Sequence, residues 1–134
     1  MLITQTELDS VLAANPHLQG NGFAPFSVGD TPTPVDLGQV DLAIRWLGYH
    51  GRNTAVNQKY SSYGLKHHAE NTAPTLRPGA VPYISNGAFI AAAIFLHYEV
   101  RQIGSSPNAR INIRFNKASQ AELLKKANEV MEVV

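Results

Sequence analysis

The residues best equipped for chemistry lie between positions 52 and 70. The stretch Arg52-Asn53-Thr54-Ala55-Val56-Asn57-Gln58-Lys59-Tyr60-Ser61-Ser62-Tyr63 interleaves cations, amides, hydroxyls and aromatic rings. Arg and Lys neutralise phosphates. Asn and Gln match base edges, and Tyr stacks on a splayed base. The free N–H groups where a helix starts attract a phosphate. A polar loop that hydrogen-bonds to itself has the same composition. Just beyond, His67-His68 and Glu70 offer a second chemistry. His67 and Glu70 have the helical spacing for a shared metal ion or an acid–base pair. His68 points about a quarter-turn away, and His50 and His97 stand in no second ligand motif. A surface His67 stacking on Tyr63, one turn earlier, accounts for the same residues. Neither a metal nor a cofactor is expected.

Other chemistries lack their residues. There is no cysteine, so no disulfide, thiolate nucleophile or thiolate metal site. No nucleophile elbow, phosphate-cradling glycine loop or paired-histidine zinc motif occurs. A small hydrolase built on His67 and Glu70 is the enzymatic alternative to a non-enzymatic binding protein.

Charge supports the binding reading. Residues 1–44 hold five acids and no Lys or Arg; residues 45–117 hold nine basic residues against Glu70 and Glu99. The net charge of +1 hides this segregation. A basic middle suits an anionic partner, although the two segments could equally pair with each other in the fold. With 134 residues, 44% of them apolar, the chain suits one domain, 1–134. The longest apolar run, Ala88 to Leu96, is nine residues, far short of the about 20 that span a bilayer. Residues 1–9 carry two acids and no Lys or Arg, unlike a secretory signal, so a cytoplasmic address is expected.

The elements that must position these residues read as a mostly helical α+β domain. About five helices should surround a buried apolar helix over 86–102, with a small β element near 110–115. Thr4 and Glu7 have capping-box spacing for a helix through about Ala14, with Leu8, Val11 and Leu12 inward. Residues 16–33 form a long connection, pinned by Phe23 and Phe26. Thr33, as cap before Pro34, starts a helix to about Leu47 with a Val40, Ala43, Ile44, Leu47 stripe, closed by Gly48. Ser61 or Ser62 caps a helix to about Thr72, with Leu65 and Ala69 inward and Lys66, His67 and Glu70 outward. Residues 73–84 are a loop. Ser85 caps the apolar helix, and Gly104 to Asn108 is a turn. Strict alternation from Arg110 to Phe115 marks a strand with Arg110 and Arg114 on its wet face. That strand needs a partner from 80–84, from 50–58 or from a second chain in a homodimer. Ser119 and Glu122 open a last helix to about Glu132. A helix-turn-helix drawn from 62–72 and 86–102 fails, because that motif has a turn of about 3–4 residues.

The segments Ser61-Ser62-Tyr63-Gly64-Leu65-Lys66-His67-His68-Ala69-Glu70, Tyr83-Ile84-Ser85-Asn86-Gly87-Ala88-Phe89-Ile90-Ala91-Ala92-Ala93 and Ser106-Pro107-Asn108-Ala109 give the chain a relationship. Over about 52–116 it resembles a group of small proteins of bacterial phages and mobile elements that carry no established activity. The resemblance implies a bacterial mobile-element context, with action on nucleic acid or on a host defence. The first expectation is therefore a nucleic-acid-binding protein, DNA before RNA, using Arg52, Asn57, Lys59, Ser61, Ser62, Lys66, Arg110 and Arg114. The alternative is an anti-CRISPR-like inhibitor that binds a host protein complex, its acidic face centred on Asp30, Asp36 and Asp41.

Overall fold

A computed structural model describes residues 1–23, 32–79, 81–116, 118, 120–123 and 125–126. The observed class is mostly helical α+β. Helix α1 (Gln5–Ala14) opens with the capping box: the Thr4 hydroxyl accepts from the Glu7 N–H and the Glu7 carboxylate accepts from the Thr4 N–H. A short hairpin, β1 (Leu18–Gln19) and β2 (Gly22–Phe23), occupies part of the long connection. Helix α2 (Leu37–Leu47) is capped by Asp36, whose carboxylate accepts from the Gln39 N–H. The expected Thr33 cap is thus corrected by three residues: an Asp at the N-cap is a stronger acceptor for the orphan N–H groups. Phe26, Asp30 and Ser119 lie outside the described residues.

Helix α4 (Asn86–Phe95) is the centre, with Asn86 to Ala93 buried without a break. It packs against α1, α2 and helix α3 (Ser62–Leu76). Its four small alanines are fully buried, and Phe89 meets Trp46 of α2 at 5.8 Å between ring centres. Burying a side chain such as Phe89 or Ile90 stabilises the fold by about 1.5–3 kcal/mol. At its start α4 rests on the hairpin: a Cβ built on Gly87 would sit 1.6 Å from the Gln19 carbonyl oxygen. The glycine is what lets helix and hairpin touch.

The expected helix over 86–102 ends seven residues early. His97 takes the left-handed conformation, φ 64°. The N–H groups of His97 and Tyr98 turn back to the carbonyls of Ile94 and Ala93, the double reversal that stops a helix. The chain then forms β4 (Val100–Gln102), which pairs antiparallel with β5 (Ala109–Ile111) across the Gly104 turn. The next strand, β6 (Ile113–Arg114), pairs with β3 (Gly51–Arg52). Of the three proposed partners for the 110–115 strand, the 50–58 segment is the one used; 100–102 supplies the other. The α3 helix also runs one turn past Thr72, through Pro74 to Leu76, because Ala73 is buried against the core.

The described residues of 118–126 are helical and begin a fifth helix. Its Gln120 carboxamide accepts from the Trp46 indole N–H at 3.0 Å and donates to the His68 carbonyl at 3.1 Å, fastening it to α2 and α3. No described helix is long and apolar enough to cross a membrane.

Candidate nucleic-acid interface

The loop between β3 and α3 is built on the β5–β6 segment. The N–H groups of Asn53 and Asn57 donate to the carbonyls of Asn112 and Ile111, each at 2.8 Å. The Asn112 amide returns a bond to the Asn53 carbonyl at 2.9 Å. Asn57 then closes the loop: its Oδ1 accepts from the N–H groups of Lys59 (2.9 Å) and Tyr60 (3.0 Å), an Asx turn that leads into α3. Its Nδ2 donates to the Ile113 carbonyl at 3.4 Å. Asn57 therefore shapes the site instead of presenting its amide to a ligand.

The arginines grip the same loop. Arg110 donates from Nη1 to the Gln58 carbonyl (2.8 Å) and the Asn57 carbonyl (3.3 Å). Arg114 reaches Asn53 Oδ1 through Nε at 3.3 Å and the Arg52 carbonyl through Nη2 at 3.4 Å. Arg52 stacks on Tyr98, 4.1 Å from the ring centre, and donates to the carbonyls of Leu96 and His97, just past the end of α4. A cation there also offsets the negative helix end. Burial raises the Tyr98 phenol above its usual range, and the Arg52 charge offsets part of that. Each guanidinium has five donors, and the described bonds use only some of them. Lys59 is exposed, 5.4 Å from the Tyr60 ring.

These residues enclose an open concavity of about 680 Å³, lined by 52–59 and Arg114. Its wall holds three cations (Arg52, Lys59, Arg114), three amides (Asn53, Asn57, Gln58) and no carboxylate. Arg101 lies opposite Arg110 in the β4–β5 pair and is matched to Glu99 at 2.6 Å.

The remaining expected residues are elsewhere. Ser61 caps α3 and is half-buried. Ser62 is fully buried: its hydroxyl donates to Asn86 Oδ1 at 2.7 Å and accepts from the Ala109 N–H at 2.9 Å. Lys66 was expected outside, yet only 5% of it is exposed. Helical spacing did place it one turn from Glu70, but α4 and the 83–86 segment cover that face. His67 is the outward member, edge-on to Tyr63 at 4.6 Å as expected of a surface histidine. The expected outward position of Lys66 is corrected accordingly.

Lys66 instead lines a second cavity, about 580 Å³, between α3, the 83–86 segment and the turn before β5. Sequence reasoning missed its other walls, Tyr83, Asn86, Asn108 and Asn21. One signal existed: the three segments singled out in the sequence, 61–70, 83–93 and 106–109, each contribute residues to this cavity. His67 Nδ1 lies 2.9 Å from Glu70 Oε1. His68 turns away toward Tyr60 and Phe115, and no group of three or more His, Asp or Glu suited to a metal occurs among the described residues.

The proposed acidic face loses one of its three central acids, while Asp36 stays exposed. Asp41 is fully buried, bonded to the Leu2 N–H (2.7 Å) and Arg45 (2.9 Å) and 3.6 Å from Arg77. Burial alone would raise its carboxyl; these three partners outweigh that and hold it below the usual carboxylate range. Acidic and basic segments thus do pair at this point. Comparison with protein-family models, curated proteins and solved structures finds no match.

Proposed function

We propose that the protein is a non-enzymatic binder of single-stranded nucleic acid, DNA in the first instance, and that the 52–59 loop with Arg110 and Arg114 is its phosphate-contacting face. The observation that carries this reading is the concavity whose wall holds three cations and three amides and no carboxylate. Its frame is fixed by backbone hydrogen bonds to the 111–112 segment, and Arg52 and Arg114 are held by hydrogen bonds of their own before a ligand arrives, which lowers the entropic cost of binding. A single strand suits the site better than a duplex. The one polar helix beside it, α3, turns Lys66 inward and offers no base-reading row, whereas a cationic groove that tracks the backbone is a usual means of holding a strand. The proposed role is on mobile DNA, given the resemblance read from the 52–116 sequence to small phage and mobile-element proteins. Buried Asp41 takes one of three central acids from the alternative, an inhibitor mimicking nucleic acid with an acidic face.

Fluorescence anisotropy with a labelled single strand tests the reading. Lys59→Glu and Arg114→Glu should each weaken binding by about tenfold or more, since each removes a phosphate contact and adds a repulsive charge. Native affinity in both variants would remove this face from the function.

A further inference from the structure

The cavity over α3 is a separate site, and its lining is more selective than the open cradle. We infer that it binds a nucleobase, either of a free mononucleotide or of a base turned out from a strand. The ligand class rests on the nucleic-acid reading, but the residues are different ones.

The aromatic walls are Tyr63, from the first turn of α3, and Tyr83, from the segment before α4. They are 51% and 52% exposed, unusual for large rings that make up a cavity wall. Both rings flank one cation: Lys66 Nζ is 5.0 Å from the Tyr63 centre and 5.3 Å from the Tyr83 centre. A flat base entering beside either ring gains a stacking surface. It also brings its polar edge toward the ammonium.

That ammonium has donors to give. Its one described polar partner is Glu70 Oε1 at 3.4 Å, longer than the about 2.7–2.9 Å of a strong charged bond. Glu70 is committed elsewhere. Oε1 is shared with His67 Nδ1 at 2.9 Å, and Oε2 accepts the Ile84 N–H at 3.0 Å. The carboxylate thus holds His67 and the Tyr83–Ile84 backbone in place, and leaves Lys66 only weakly satisfied. A keto oxygen on a base edge is the neutral acceptor that Lys recognises.

The far wall is made of amides. Asn86 is fully used: its Nδ2 donates to the carbonyls of Asn21 and Pro107 and to Asn108 Oδ1, at 3.0–3.2 Å. It fixes the Asn108 side chain and the Asn21 backbone, while the Asn21 Nδ2 is held by the Thr33 hydroxyl at 3.2 Å. Asn108 presents an Nδ2 and Asn21 an Oδ1 that make no hydrogen bond among the described residues. A donor and an acceptor in one wall match the mixed edge of a base. A phosphate alone would use Lys66 and leave the rings and the acceptor idle. A volume of about 580 Å³ accommodates a ligand of this size.

The test is calorimetric titration of the full chain with guanosine monophosphate, thymidine monophosphate and, as the base-free probe, ribose monophosphate. Both nucleotides should bind, and ribose monophosphate should bind at least about tenfold more weakly. Tyr83→Ala, a change on an exposed ring, should weaken nucleotide binding about tenfold. The volume-conserving Lys66→Met should do the same. Equal binding of ribose monophosphate, unchanged affinity in Tyr83→Ala, or no binding of either nucleotide overturns the inference. A thymidine oligonucleotide in the same instrument separates the two sites. If it binds while neither mononucleotide does, the cavity is not a base site and the cradle reading stands. If the mononucleotides bind and the oligonucleotide binds no tighter, the cavity stands and the cradle falls.

Discussion

Replacing Ser62 with alanine should destabilise the fold strongly while leaving the cationic face intact. The hydroxyl is buried and makes two good bonds, a donated one to Asn86 Oδ1 at 2.7 Å and an accepted one from the Ala109 N–H at 2.9 Å. Ala109 is fully buried and Asn86 is 6% exposed, so neither orphaned group can turn to bulk water. Leaving one buried polar group unpaired costs about 1–3 kcal/mol, so Ser62→Ala should lose about 3 kcal/mol. For a domain of this size that is roughly a 10 °C drop in Tm. Ser61→Ala is the control. Its capping bond to the Gly64 N–H is long, 3.5 Å, so its loss should cost about 0.5–1 kcal/mol, the lower part of the range for N-caps. Urea denaturation followed by circular dichroism compares the two. A Ser62→Ala protein within about 0.5 kcal/mol of the parent, the scatter of surface changes, would refute the reasoning that this node joins α3, α4 and β5.

Gly87→Ala should cost about 3 kcal/mol or more, because the new methyl meets the Gln19 carbonyl oxygen at 1.6 Å and helix and hairpin must separate; the urea midpoint reads this. His97→Gly should stabilise by about 0.5–1 kcal/mol, since a left-handed residue at φ 64° closes α4 and glycine adopts that conformation without penalty; a lower midpoint would mean that the His97 side chain has a structural role. His50 packs on Trp46 and Phe115, and its buried Nε2 has no hydrogen-bond partner among the described residues. Burial lowers its imidazole from 6.5 to about 4, so between those values the unfolded chain binds the extra proton and the folded one does not. Stability should therefore fall as pH drops from 6.5 toward 4, and His50→Leu should flatten that slope in denaturant titrations.

Local signals were legible wherever neighbours in sequence settle the matter. The Thr4 and Ser85 caps, the closing Gly48 and the α2 stripe each depend on residues within about one turn, and each is where the pattern puts it. The errors share a cause. Lys66 reads as outward because a lysine on a half-polar helix usually is, and only the 83–86 segment folding over it makes it a cavity wall. His97 to Gln102 follow the apolar run with no Gly or Pro, so nothing local marks the strand; the reversal depends on a histidine in a conformation that favours glycine. Of the candidate site, the loop 52–59 was legible as a cationic stretch, but the self-bonding alternative was partly right too. Asn57, Arg110 and Arg114 hold the loop with the same groups that suggested binding. The second cavity was hidden because Ser62 to Asn86 spans 24 residues and Ser62 to Ala109 spans 47, separations that composition does not reveal.

The most direct measurement is the salt dependence of single-strand affinity, by anisotropy with a labelled oligonucleotide across a fourfold range of salt. Four cations on the face, Arg52, Lys59, Arg110 and Arg114, give a slope of about −3 in log affinity against log salt, or roughly a 50-fold loss over that range. That slope, reduced by about 0.7 in Arg114→Ala, is the result predicted. Binding that ignores salt, or no binding even at low salt, would contradict a phosphate-contacting role for the 52–59 face.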